Sequence, residues 1–239
     1  MLEKLVYTEE ECPQRSEIWE EIRKPFIGAS ETGAILGFLS KYEKPKTVWK
    51  RKTGKLKPKT ANSSMLLGQK LEESAKILTK SFLKQEKLII NPKLDGYFAV
   101  HSKYQFLSAS FDGVDVENKF ITELKCPEFS RNFKFVFEQG LKDYYYAQVQ
   151  QQLFIAKDHW NIEKAFFSSY YPNGTYVLDI DNFTEIFKTL AVREVKLNNS
   201  YCDAMLVVLK KFHENVEQDC WDDEEYNTLL QNFYDKIYL

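Results

Sequence analysis

The spacing of the apolar residues changes once the chain passes residue 82, and this change limits the folds open to it. From Asn62 to Phe82 the apolar side chains recur every three or four residues, which predicts an amphipathic helix. From Tyr97 to Lys125 short runs rich in aromatic and β-branched residues are separated by turn residues, which predicts consecutive strands. A helix followed by a strand hairpin favours a sheet covered by helices.

The flanking segments repeat this mixture, so we expect an α/β chain with a central mixed β-sheet flanked by helices. Helices are predicted over Ser16–Arg23, from an N-cap at Ser30 to Gly37, and over Thr47–Lys52, Asn62–Phe82, Tyr144–Ile155, Phe183–His213 (kinked at Asn198-Asn199) and Asp222–Tyr238. Strands are predicted over Lys87–Asn91, Tyr97–Val100, Phe106–Val116, Phe120–Lys125, Ile162–Tyr171 and Tyr176–Ile180, with turns at Asp95-Gly96 and Glu117-Asn118.

Composition excludes several classes of protein. The 18 Phe, 14 Tyr and 4 Trp provide too much apolar surface for a disordered chain. No apolar run approaches the roughly 18 residues of a membrane span, and the N-terminus has no signal-peptide core. We therefore expect an intracellular protein, in the cytoplasm or inside a host cell if the protein is viral. The four cysteines include no close-set pair, which disfavours an iron–sulfur cluster.

A near-neutral net charge of −2 hides two segments of opposite sign. Residues 41–60 contain nine Lys or Arg and one Glu, whereas residues 214–239 contain eight Asp or Glu and one Lys. The basic segment is either a solvated loop or a surface for an anionic partner. The acidic segment is consistent with a solvated helix, a subunit contact or a guard against nonspecific DNA binding, and the sequence does not choose among these.

Two carboxylates and an ammonium group are expected to meet on the predicted hairpin. Asp112 lies on one strand, and Glu123 and Lys125 lie two residues apart on the next, so their side chains share a face while Leu124 faces the core. Such an oxygen-rich site suits a hard cation such as Mg²⁺ or Mn²⁺, with the Leu124 carbonyl as a further ligand. The alternative is an ordinary surface ion pair.

Two helices could add to this site. Glu72, on the helix before the hairpin, could complete a metal shell, or it could be a solvated glutamate. Tyr145 and Gln148 share a face of the following helix, and Gln148 could hydrogen-bond an attacking water or a phosphate. Glutamines on an amphipathic helix are, in the alternative, merely solvated.

The order of the motifs resembles the phage lambda exonuclease family, the YqaJ-type viral recombinases of the PD-(D/E)xK nuclease superfamily. The matching blocks run from Trp19 to about Ile155: W-x(3)-R, G-A-S, G-x(3)-E, S-x-D-G, E-L-K-C-P and Y-x-A-Q-V-Q. The resemblance implies a restriction-endonuclease-like core in one domain over 1–239, with the motifs within about 15–180 and a helical segment over about 181–239.

The resemblance also implies a Mg²⁺-dependent enzyme, with Mn²⁺ as an alternative, that degrades one strand of linear double-stranded DNA from its 5′ end. The 3′ overhangs would serve phage-type recombination. Carried over by position, the metal ligands of a two-ion site are Asp112, Glu123, the Leu124 carbonyl and Glu72. Lys125 and Gln148 would act on the nucleophilic water.

End recognition and assembly follow from the same resemblance. Arg23, Ser30 and Ser110 match a pocket for the 5′-terminal phosphate, with Tyr145 as a further DNA contact. The family implies a ring-shaped homotrimer and a single-strand annealing protein as partner. Residues 41–60 would lie along the DNA, with Trp49 or Leu56 as a wedge between the strands. Phe111 departs from the family, which often has Pro before the catalytic Asp.

Two other functions stay open on the sequence. One is a different nuclease of the superfamily, either a Cas4-like exonuclease, which the lack of close-set cysteines disfavours, or an endonuclease that would cut closed circles. The other is a catalytically silent platform that binds DNA ends for a recombinase. The platform predicts end binding without nucleotide release, and the full Asp112, Glu123 and Lys125 set argues against it.

Overall fold

The computed structural model describes residues 4–39, 41–86, 89, 91–172 and 189–238, and within them the predicted α/β class is confirmed. Its helices are α1 (Glu17–Arg23), α2 (Ala29–Ile35), α3 (Pro45–Lys52), α4 (Ser63–Gln85), α5 (Ser130–Gln139), α6 (Asp143–Trp160), α7 (Asn199–Glu217) and α8 (Asp223–Tyr238). Its strands are β1 (Val6–Thr8), β2 (Ile27–Gly28), β3 (Asp95–Val100), β4 (Leu107–Asp115), β5 (Phe120–Lys125), β6 (Lys164–Tyr170) and β7 (Leu190–Lys196). None of these helices is long and apolar enough to span a membrane.

The strands form one mixed sheet in the order β1-β3-β4-β5-β6-β7, and β2 pairs in parallel with β4. The pairs β3–β4, β4–β5 and β6–β7 are antiparallel, and in the first two the strands are joined by short connections. Strands β5 and β6 are parallel, and the chain between them crosses over through α5 and α6. This crossover brings α6 back across the sheet.

Helices α4 and α6 contact opposite side chains of β5. Leu124 packs with Ala75 and Leu78 of α4, as the alternation of a strand predicts. Glu123, one position away, is contacted by side chains of α6. The face of β5 that carries Glu123 and Lys125 is therefore covered by the helix that carries Gln148.

The C-terminal third differs most from the prediction. Instead of one helix over Phe183–His213, the structure has strand β7 and then α7, whose N-cap is Asn198: its side chain accepts a hydrogen bond from Tyr201 N at 3.0 Å. The residues read as a kink begin a helix, because Asn is a good N-cap. The segment over 181–239 is therefore not purely helical, since β7 pairs along its length with β6. The strand predicted over Tyr176–Ile180 lies outside the described residues.

Smaller corrections concern single positions and short elements. Asp95 and Gly96 belong to β3, because a register shift between Asp95 and Tyr97 absorbs the glycine within the strand. Ile89 and Asn91 are not in a strand, and the rest of the strand predicted over 87–91 is outside the described residues. The N-cap of α2 is Gly28, since β2 runs directly into the helix, so Ser30 lies in the first turn instead. Strands β1 and β2 and helix α5 had not been predicted.

The basic segment 41–60 lies against the acidic C-terminal segment of the same chain. Lys46 pairs with Asp223 at 2.6 Å, and Lys55 pairs with Asp219. Trp49 is buried, and its indole N–H donates to the Asn215 carbonyl at 3.0 Å. Trp49 is therefore wrong as a strand-separating wedge, because its ring belongs to the core. The opposite charges of the two segments are partly satisfied by each other.

Helix α8 closes the end of α2. The hydroxyl of Tyr226 donates to the Ile35 carbonyl at 3.0 Å, and that of Tyr234 donates to the Leu36 carbonyl at 2.6 Å. These are carbonyls that the last turn of a helix leaves without partners. Gly37 follows with a φ of +79°, and a Cβ there would lie 2.6 Å from the Tyr234 hydroxyl. Glycine meets both demands.

Candidate functional site

The ten residues that the sequence proposes for catalysis, metal binding and DNA binding all line one cleft of about 650 Å³ beside the β4–β5 hairpin. Helices α1, α2, α4 and α6 supply the walls around the two strands. The ten residues are Arg23, Ser30, Glu72, Ser110, Asp112, Glu123, Leu124, Lys125, Tyr145 and Gln148.

The two strands of the hairpin separate where the carboxylates lie. Their ladder runs from Asp115–Phe120 to Gly113–Thr122 and ends there. Beyond it, the Leu124 N–H donates to Asp112 Oδ2 at 2.7 Å instead of to a strand carbonyl. Asp112 therefore sits within β4 but at the end of its pairing with β5, where its carboxylate can face the cleft.

Glu123 is almost fully buried, and both of its oxygens accept hydrogen bonds. Oε1 is bonded by the Lys125 ammonium and, at 2.7 Å, by Gln148 Nε2. Oε2 accepts from Gln152 Nε2 at 2.5 Å. Gln148 is thus not merely solvated, because its amide is directed at a carboxylate. The ammonium also lies 5.8 Å from the centre of the Tyr145 ring.

The surroundings of Asp112 and of Lys125 raise the pKa of each group. Burial, then the charge of Glu123, raises the pKa of Asp112 to about 7. Burial acts to lower the pKa of Lys125, but the charges of Glu123 and Asp112 outweigh it, so that pKa lies above its usual value. The single ammonium group of Lys125 thus faces the carboxylates of both Asp112 and Glu123, and without a further cation these two carboxylates repel each other.

A hard divalent cation fits these residues in its chemistry. Asp112 Oδ1 accepts no hydrogen bond from the residues described, so it is available as a ligand. Glu72 faces the same cleft, but its carboxylate is paired with Arg15 of the N-terminal segment. Within the described ranges no three carboxylate, His or Cys groups converge into a ready-made metal shell. Asp112 and Glu123 are therefore assembled, whereas Glu72 would have to leave Arg15 to join them.

Replacing Asp112 by asparagine is expected to stabilise the protein at alkaline pH. In the unfolded chain this carboxyl loses its proton near pH 3.8, and in the folded chain only near pH 7, so stability falls as pH rises between these values. The variant should gain about 1–3 kcal/mol at pH 8 and little at pH 4.5. Thermal melts at both pH values measure this, with exposed Glu73→Gln as the control. An equal gain at both pH values would contradict the raised pKa of Asp112.

The far end of the cleft contains Arg23 and Ser110, both in contact with Trp19. The Arg23 guanidinium lies 4.1 Å from the centre of the Trp19 ring, four residues earlier on α1. The Trp19 indole N–H donates to Ser110 Oγ at 3.0 Å, so one side chain fixes both groups. A Cβ at Gly28 would lie 3.1 Å from the guanidinium, so a side chain there would displace Arg23 slightly. Burial lowers the pKa of Arg23, although the charges of Glu31 and Glu20 act against it.

Three residues of the site had not been proposed from the sequence. Trp19 had been quoted only as part of a motif, although its spacing of four from Arg23 on a helix predicts contact. Gln152 lies one helical turn after Gln148, so a shared face was foreseeable. Arg15 has no such signal: it is an exposed residue with a φ of 69°, and its partner lies 57 residues away.

The chain is similar to a known protein family in sequence and to solved structures in fold. A model of the YqaJ-like viral recombinase domain matches residues 18–159. Among solved structures, an alkaline exonuclease from Laribacter hongkongensis is 16% identical with a TM-score of 0.64, covering 85% of this chain and 94% of its own. The structure of the same exonuclease in complex with dAMP is 17% identical with a TM-score of 0.63, and the coverage of both chains is the same. A phage-related exonuclease from Haemophilus somnus 129PT is 14% identical with a TM-score of 0.58, and the match covers 81% of this chain and 94% of that exonuclease. No curated protein matches in sequence. At these identities the solved structures show a shared fold.

Proposed function

The chain belongs to the family of YqaJ-like viral recombinase domains, and on that basis we propose that it is a metal-dependent deoxyribonuclease. It degrades one strand of linear double-stranded DNA from the 5′ end and leaves a 3′ overhang for recombination. The observation that carries the proposal is the single cleft that contains both the Asp112, Glu123 and Lys125 set and the anion pocket around Arg23.

The carboxylates of Asp112 and Glu123 would hold Mg²⁺, or Mn²⁺, with the Leu124 carbonyl as a further ligand, and Glu72 would complete a two-ion site after leaving Arg15. When bound, such a cation polarises the phosphoryl oxygen and makes a bound water more acidic. The protein's own contribution is to hold both carboxylates in place. The Leu124 N–H fixes Asp112, and the amides of α6 fix Glu123.

Lys125 and Gln148 act on the water and on the developing charge. Both already contact Glu123 Oε1, so their donors meet at one point of the cleft. The raised pKa of Lys125 keeps it an ammonium at alkaline pH, where hydroxide-like nucleophiles are favoured. A fixed positive charge beside the phosphate lowers the energy of the more negative transition state.

Arg23, Ser30 and Ser110 bind the terminal phosphate, and Tyr145 contacts the adjoining DNA. A guanidinium pairs with a phosphate through two parallel hydrogen bonds. Because Trp19 holds Arg23 and Ser110 in place, the pocket needs little reorganisation to bind. Recognition of the 5′ end selects which strand is degraded.

A nuclease assay with linear and closed circular duplexes tests this function. With Mg²⁺, we expect release of mononucleotides from the 5′-phosphorylated linear duplex and an intact circle. Cutting of the circle would identify an endonuclease. End binding with no release in Mg²⁺ or Mn²⁺ would identify the silent platform.

Assembly is a further part of the proposal. We propose a ring-shaped homotrimer that passes the DNA through its centre and hands the overhang to a single-strand annealing protein. Light scattering at micromolar protein concentration measures the first claim, and co-purification with the annealing protein measures the second. A monomer active on long duplex would contradict the ring.

A further inference from the structure

The side chain of Gln152, on α6, connects strands β4 and β5 at the site. It is fully buried on α6, and its Nε2 donates to Glu123 Oε2 at 2.5 Å and to the Ser110 carbonyl at 3.1 Å. Ser110 lies on β4 and Glu123 on β5, in the region where these two strands no longer pair with each other. One amide group therefore bridges the strands at that point.

The orientation of this amide follows from its partners. A carboxylate and a carbonyl both accept hydrogen bonds and cannot donate, so the nitrogen has to face them. As a consequence the amide oxygen, Oε1, is buried without a partner among the described residues. A buried acceptor without a donor is unfavourable, and an apolar side chain of the same length would avoid it.

The neighbouring glutamines of α6 do not share this defect. Gln150 donates to the Lys196 carbonyl at 2.9 Å and accepts from Asn198 N at 2.8 Å. Gln151 donates to the Ile27 and Ser108 carbonyls and accepts from the Thr32 hydroxyl. Both are fully buried and satisfied at each end of the amide. Gln152 alone of these three is satisfied only on the side of the site.

We propose that Gln152 is a positioning residue, which holds the Glu123 carboxylate in the orientation that binds the cation and ties it to the strand of Ser110. This rests on the proposed function, because it assigns Glu123 to a cation site. Gln148 and Lys125 donate to the other oxygen of Glu123, so without Gln152 the carboxylate is held at Oε1 alone and Oε2 has no donor that fixes its position. Partners of metal ligands typically change cation affinity 10- to 100-fold when they are removed.

Calorimetric titration with MnCl₂, without DNA, tests the proposal in four proteins: wild type, Gln152→Met, Gln152→Asn and Gln150→Met. Methionine preserves the length of glutamine and removes its donor, and asparagine keeps an amide that is too short to reach. Both Gln152 variants are expected to bind Mn²⁺ about 10-fold more weakly. Gln150→Met is the matched control: it removes an equally buried amide outside the site and should bind within about twofold of wild type. Thermal melts of all four proteins show how much stability each change costs.

The outcomes separate this inference from the proposed function. If wild type binds Mn²⁺ and both Gln152 variants bind it equally well, the positioning role is overturned while the nuclease proposal stands. If Gln150→Met weakens binding as much, the effect is one of general packing, and the role is again overturned. If wild type neither binds Mn²⁺ nor degrades linear duplex, the proposed function fails and this inference fails with it. Should the methionine variant not fold, Gln152→Asn decides the question.

Discussion

Replacing Lys125 by alanine is expected to slow strand cleavage about 100- to 1,000-fold, while binding to DNA ends changes by less than about threefold. The ammonium lies beside Glu123 and keeps its charge at any working pH, so it acts mainly on the extra negative charge of the transition state. Single-turnover cleavage of a 5′-phosphorylated duplex and end binding in Ca²⁺ measure the two quantities.

Lys93→Ala provides the matched control for this variant. Lys93, just before β3, forms an ion pair at 2.6 Å with Glu117 in the turn between β4 and β5, so the change removes a similar pair away from the cleft. Its cleavage rate should equal that of wild type. If the Lys125→Ala protein melts at the same temperature as wild type and its cleavage rate is within fivefold of the wild-type rate, Lys125 has no direct role in the cleavage step.

Replacing Arg23 by glutamine is expected to abolish the preference for 5′-phosphorylated over 5′-hydroxyl ends. A hydrogen bond to a charged group contributes about 1.5–3 kcal/mol, which corresponds to about a 10- to 100-fold preference in kcat/KM. Because the guanidinium rests on Trp19 and is partly buried, most of that preference should depend on this one side chain. Initial rates on duplexes that differ only at the 5′ end measure it.

Arg131→Gln separates the pocket from the general charge of the cleft. Arg131 lines the same cleft but packs on Phe129, with 5.2 Å between its guanidinium and the ring centre. The loss of Arg131 should lower the rates on 5′-phosphorylated and 5′-hydroxyl duplexes by the same factor and leave the preference for the phosphate unchanged. A phosphate preference that survives Arg23→Gln and disappears with Arg131→Gln would move the pocket to the other wall.

The site was more predictable from the sequence than its surroundings. Asp112, Glu123 and Lys125 lie on adjacent strands of a short hairpin, so strand alternation alone brings them together. Residues 190–196 were mistaken for part of a helix, because their strand conformation depends on pairing with β6 and local preference does not reveal it. The Arg15–Glu72 pair is likewise a product of tertiary structure, since no local pattern predicts a partner 57 residues away.

The charged segments show the same limit in a different form. Their opposite signs were visible in the sequence, but pairing within one chain had not been among the interpretations. The pairs Lys46–Asp223 and Lys55–Asp219 join positions more than 160 residues apart. Each of these exposed ion pairs contributes little to the free energy of unfolding, so their main effect is on the orientation of the basic segment 41–60.

The two tyrosine hydroxyls that close α2 have a consequence for the order in which the protein matures. Helix α2 is only seven residues long, too short to persist alone in water, and it carries Ser30. The groups that complete its last turn come from Tyr226 and Tyr234, 191 and 198 residues further along the chain. During synthesis this wall of the cleft is therefore incomplete until Tyr226 and Tyr234 have left the ribosome. The pocket that we propose for the DNA end is therefore completed only when α8 has formed.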